Sequence, residues 1–202
     1  MKLKKIILSL ILLLTISTFC QEEYEYKVGR EWNGNREVYS IIKKGGDTIL
    51  KLDSSKYLNT LQNKFNHFAI FEIKGKGGWS AIDINENYLF QVYNRLQGEP
   101  FPDYIKENRI RIVGENNKIG FANSFGKIVI KPQFERVTEF DNGFAIFHSE
   151  CVKIKNDESE GEHPGVRYEC EKVGYIDKNG NIIEIGEFDF NELKQRINWN
   201  GD

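Results

Sequence analysis

Apolar and polar residues alternate with a period of two along much of the chain, the pattern of half-buried strands. Tyr24, Tyr26 and Val28 alternate with Glu25 and Lys27, giving an early strand. Trp32-Asn33-Gly34-Asn35 supplies a turn, because Asn-Gly accepts the positive φ angles of a tight hairpin. Residues 38–42 read as a second strand, and Lys44-Gly45-Gly46-Asp47 turns into a third over 48–52. Between 54 and 65 the period changes. Tyr57, Leu58, Leu61 and Phe65 fit one helical face with Ser54 or Ser55 as cap, predicting a short helix or helical turn. Residues 68–73 return to strand.

The strand pattern then repeats. Phe68-Ala69-Ile70-Phe71, Arg109-Ile110-Arg111-Ile112 and Phe144-Ala145-Ile146-Phe147 line up. After a polar turn each leads to another strand: Trp79-Ser80-Ala81-Ile82-Asp83, Ile119-Gly120-Phe121-Ala122-Asn123 or Val173-Gly174-Tyr175-Ile176-Asp177. Tyr39-Ser40-Ile41-Ile42 fits the same slot, so Ser40, Ser80 and Gly120 recur every 40 residues. Gly174 follows 54 later, the excess matching an insert at 151–170. The units lie at about 39–71, 79–112 and 119–147, with a partial one at 173–183.

In the complete unit, Ile119, Phe121, Ile128 and Ile130 give alternating strands. Pro132, lacking an N–H, is expected to end the second of them. Phe134, Val137 and Phe140 carry apolar contacts across the connection, and Asp141-Asn142-Gly143 turns into the third strand. After Ile185 the period becomes helical. Asp189 and Glu192 resemble a capping box, and Phe190, Leu193 and Ile197 share a face. A terminal helix at about 189–198 is expected to cover the array's last exposed edge.

Lys118-Ile119-Gly120-Phe121, the run Gly126–Phe134, and Phe140-Asp141-Asn142-Gly143-Phe144-Ala145 resemble the WG repeat (WG β-repeat) family, as does the segment 172–183. The Trp-Gly pair that names the family is replaced by Ile119-Gly120 and Val173-Gly174, while Trp79-Ser80 keeps only the Trp. The resemblance implies an all-β array of stacked antiparallel hairpin repeats in an exported or envelope protein. It implies no activity.

The first twenty residues read as an export signal. Lys2, Lys4 and Lys5 precede an apolar run over 6–16, too short to span a bilayer comfortably. Cleavage is expected between Cys20 and Gln21, leaving one β-repeat domain over 21–202. The alternative is a lipoprotein anchored through Cys20, against which Phe19 argues. Losing the three leader lysines takes the formal charge from −2 to −5, and such a chain is a poor nucleic-acid or anionic-membrane binder. Export also means an oxidising compartment, so Cys151 and Cys170 are expected to form a disulfide. The alternative is two reduced, partly buried thiols.

No stretch carries a catalytic signature, and no cofactor or metal is expected. His67, His148 and His163 share no ligand spacing, and Gly75, Gly77 and Gly78 read as a hairpin turn rather than a phosphate cradle. The acidic run Asp157, Glu158, Glu160 and Glu162 lacks the spacing of a calcium loop. With a disulfide at its base, the insert reads as a stapled finger presented to a partner. Trp32, Trp79, Tyr88 and Tyr93 are either a recognition face or core residues. The function expected is therefore non-catalytic: an interaction module for another envelope or secreted protein, or alternatively a glycan or cell-wall binder, with an enzyme a third class.

Overall fold

The computed structural model describes residues 24–95, 101–155 and 166–201. The leader, its cleavage point at Cys20–Gln21 and the acidic run 157–162 lie outside the described residues. Among the described residues, fifteen strands and one helix follow in order. These are β1 (Tyr26–Trp32), β2 (Glu37–Lys43), β3 (Thr48–Lys51), β4 (Tyr57–Asn59), β5 (Lys64–Phe65), β6 (Ala69–Ile73), β7 (Trp79–Ile82) and β8 (Tyr88–Val92). The chain continues through β9 (Ile110–Val113), β10 (Ile119–Ala122), β11 (Ile128–Phe134), β12 (Arg136–Val137), β13 (Phe144–Lys155), β14 (Val166–Asp177), β15 (Ile182–Gly186) and α1 (Phe190–Arg196).

Hydrogen bonding groups these strands into four antiparallel meanders: β1-β2-β3, β6-β7-β8, β9-β10-β11 and β13-β14-β15. The repeat seen in the sequence is the same unit in a different phase, starting on each middle strand. One turn recurs after every middle strand. The N–H groups of Lys43, Asp83, Asn123 and Asp177 donate to the carbonyls of Asp47, Asn87, Lys127 and Asn181. Gly46, Glu86, Gly126 and Gly180 donate back, each at positive φ. A register shift follows each turn, and Ile42, Ile82, Ala122 and Ile176 each pair six residues on. Three of the turns are also braced from their first side chain: Asp83, Asn123 and Asp177 accept two backbone N–H groups apiece.

The core is divided the same way. One cluster joins the first and second meanders around Tyr39, Ile41, Phe71 and Ile82. A second joins the second and third through Trp79, Phe90, Ile110 and Ile112. A third joins the third and fourth through Phe121, Phe140, Phe147 and Ile176. The last packs Ile146 and Val173 of the fourth meander against Leu193 and Trp199. Each unit thus buries its faces on its sequence neighbours, the logic of a linear repeat array.

Three expectations need correction. Residues 54–65 form no helix: of the expected short helix or helical turn only one turn is present, the Lys56 and Tyr57 N–H groups both donating to the Asp53 carbonyl, and β4 and β5 follow. Tyr57 and Phe65 are buried, while Leu58 and Leu61 stay about half exposed, so helical spacing there is coincidental. Pro132 does not end its strand either, because β11 runs on to Phe134. Its missing N–H is tolerated because β11 is a sheet edge and the ladder bulges between the Ile119–Phe134 and Phe121–Ile130 pairs. Finally, α1 covers a face and not an edge. Asp189 caps it, accepting from Asn191 and Glu192 N–H groups, and Leu193 seats on the outer face of the fourth meander. β15 remains the edge of its sheet.

Candidate functional site

The residues singled out in the sequence do not come together. Trp79 is fully buried in the second core cluster. Trp32 is exposed at the end of β1, and Tyr88 lies half exposed under the Lys76 ammonium, 4.5 Å from the ring centre. Tyr93 is partly buried beneath the Arg111 guanidinium. The His67 ring packs on Phe125, and His148 stacks on Phe190 of α1. Burial pushes the His148 imidazole below its ordinary range, with Arg136 adding to the effect. His163 lies outside the described residues.

The two cysteines do meet. Cys151 and Cys170 stand opposite each other on β13 and β14, their sulfurs at disulfide distance. β12 supports β13 only as far as His148, and β15 supports β14 only back to Val173. Beyond that point β13 and β14 form a two-stranded ribbon. Such a ribbon is marginal alone, so a covalent link near its root has a clear structural use. Glu135 also braces the root, accepting the Cys151 N–H at 3.2 Å while paired with Lys118. Val152 and Tyr168 are exposed along the ribbon.

A concavity of about 820 Å³ lies elsewhere, between the connectors that join successive meanders. One wall is the connector before β6. Thr60 Oγ1 donates to the Ile70 carbonyl at 2.6 Å, and Gln62 Oε1 accepts the Ile70 N–H at 2.8 Å. Those bonds hold Leu61 outward at the rim while Phe65 and Phe68 lie buried in the lining. The Lys64 ammonium sits 4.4 Å above the Tyr24 ring.

The opposite wall is the strap 101–105. The Asp103 N–H donates to the Tyr93 carbonyl at 2.8 Å, and the Arg95 N–H donates to the Phe101 carbonyl at 2.8 Å. The buried Asp103 carboxylate accepts the Arg111 backbone N–H at 2.8 Å and both arms of its guanidinium, at 3.0 and 2.7 Å. Burial opposes charge on Arg111, but the Asp103 bonds outweigh it and raise the guanidinium above its ordinary value. This pair rivets the strap to β9 and leaves Phe101, Tyr104 and Ile105 facing out. Sequence reasoning missed the groove. Its available signal was the apolar cluster Phe101-Pro102-Asp103-Tyr104-Ile105, which belongs to no repeat strand.

Residues 119–147 match the family model described as WG containing repeat. The match runs from β10 through β12 into β13, so it takes in parts of the third and fourth meanders and the core cluster between them. No curated protein matches the chain. By the family match, the protein carries a WG-type repeat at residues 119–147, set within a stack of similar meanders.

Proposed function

We propose that the protein is an exported, non-catalytic interaction module that binds another protein of the envelope or exterior. The observation carrying this reading is the convergence of Leu61, Phe101, Tyr104 and Ile105, all exposed, on the groove between connectors. Apolar residues held outward around a concavity favour a partner's side chains, since burying them on association is the main driving force. The riveted strap presents them with little ordering cost.

Glycan binding is the second reading, supported by Tyr104 and Phe101 as stacking platforms. The overall balance of exposed side chains favours protein. Among the described residues, ten of the sixteen exposed large hydrophobic side chains are Ile, Leu or Val, which offer no flat ring to a sugar. Cross-linking in intact cells followed by mass spectrometry tests the choice. One recurrent protein linked through Lys64, or through Lys153 or Lys172 of the ribbon, supports the protein reading. Absence of any protein adduct, together with a positive glycan array, replaces it with the second.

A further inference from the structure

The exposed charge in the groove between connectors is of one sign. Its lining includes Lys64, Arg95 and Asp103. The Asp103 carboxylate is buried and bound to the Arg111 guanidinium, so its charge is answered inside the wall. Lys64 and Arg95 are exposed, one on each wall. Each lies over an aromatic ring, the Lys64 ammonium 4.4 Å from the centre of Tyr24 and the Arg95 guanidinium 4.4 Å from that of Tyr104. Such contacts hold a long side chain in place and leave its charge intact.

A further ammonium stands beside the first. The register of β1 on β5 sets Lys27 directly opposite Lys64. The neighbouring pair, Tyr26 and Phe65, stacks on the buried side, so the two lysines share the exposed side. Like charges in that position repel. Among the described residues neither lysine has a carboxylate in ion-pair contact. A carboxylate brought to this wall by an occupant removes the repulsion as it binds. The formal charge of the whole chain is −2, so this positive groove is a local feature and not the average of the surface.

We propose that the groove selects a protein segment in which apolar side chains are flanked by Asp or Glu. The apolar groups seat among Leu61, Phe101 and Ile105, and the carboxylates meet Lys64 and Arg95. The proposal rests on the reading of the groove as a protein-binding site and names the chemistry of what it binds. Electrostatic matching of this kind acts mainly on selectivity and on association rate, and salt screens it. A neutral or basic segment leaves both cations unanswered.

Panning a phage-displayed library of random peptides against the protein recovered from cells expressing the full chain tests the proposal. Selected peptides should combine Leu, Ile, Phe or Trp with an excess of Asp and Glu, and should lose binding in Phe101→Ala. Lys64→Glu should weaken them about tenfold, as expected for reversing one partly solvated charge. Replacing their acidic residues by Lys should restore binding to that variant. Lys51→Glu changes the net charge equally on β3, at the opposite edge of the same sheet, and should bind as wild type. Peptides that need Phe101 but carry no acidic excess, or that bind Lys64→Glu as well as wild type, would overturn the proposal and leave the groove standing. Equal weakening by Lys51→Glu would overturn it too, by tracing the effect to net charge. Failure to select any peptide sensitive to Phe101→Ala would overturn the groove reading and this proposal together.

Discussion

Gly120 lies against the backbone of Ile130: a Cβ added there would stand 2.5 Å from the Ile130 carbonyl oxygen and 2.6 Å from the Pro132 nitrogen. The bulged edge strand β11 crosses β10 at this point, and backbone atoms cannot swing aside as a flexible side chain would. Gly174 occupies the same slot in the fourth meander, 2.5 Å short of the Glu184 carbonyl oxygen. Overpacking of this kind typically costs about 2 kcal/mol. Gly120→Ala should therefore lower the melting temperature by about 4–8 °C. Gly45→Ala, with no atom within 4 Å of the added carbon, should leave it nearly unchanged.

The Asp103–Arg111 pair should matter to both stability and the groove. Removing one partner of a buried ion pair strands the other, at a cost of roughly 3 kcal/mol or more. Asp103→Ala is expected to lower the melting temperature and to speed amide exchange across 101–105. Equal exchange in wild type and variant would mean that the strap is held by something other than this pair.

The recurrent turn supplies a prediction on pH. Burial pushes the Asp83 carboxyl up, but bonds from Asn87 and Asn85 outweigh it and hold the group below its ordinary value. That contribution is present above the unfolded-state value of about 3.9 and disappears as pH falls through the lower folded value. Asn123 fills the equivalent position with the same oxygen geometry and no charge. Asp83→Asn should thus be tolerated at neutral pH and should flatten the stability profile below about pH 4. Asp83→Ala, which loses the acceptor, should cost about 1 kcal/mol at pH 7. Thermal melts across pH 2.5–7 (roughly the window set by a carboxylate) distinguish the two variants.

What was legible in the sequence was local. The glycines at 120 and 174 and the Asp or Asn at 83, 123 and 177 answer to crowding and turn bonds within one meander. The connectors were illegible because distant backbone decides their shape. Thr60 and Gln62 are fixed by Ile70, and Asp103 by Arg111. Tyr57, Leu61 and Phe65 mimic a helical stripe, yet the first and last enter the core on either side of an exposed Leu61. Pro132 misled for a related reason, since its tolerance depends on lying at an edge, which is a property of the whole sheet.

The Cys151–Cys170 link closes a sequence separation of 19 residues. A loop of that size contributes on the order of 3 kcal/mol by restricting the unfolded chain. Cys151→Ser should lower the melting temperature under oxidising conditions and match wild type in strong reductant. Identical melting in both conditions would show that the thiols are not bridged in solution.

The central claim, that the groove between connectors receives a protein, is tested most directly by a photo-reactive residue at Tyr104. A second probe at Asp47, on an exposed turn away from the groove lining, is the control. Illumination in cells should yield one recurrent adduct from position 104 and none of that mass from position 47. The adduct should disappear in Phe101→Ala and form again between the purified proteins. No adduct at 104, or the same adducts from both positions, would contradict the claim.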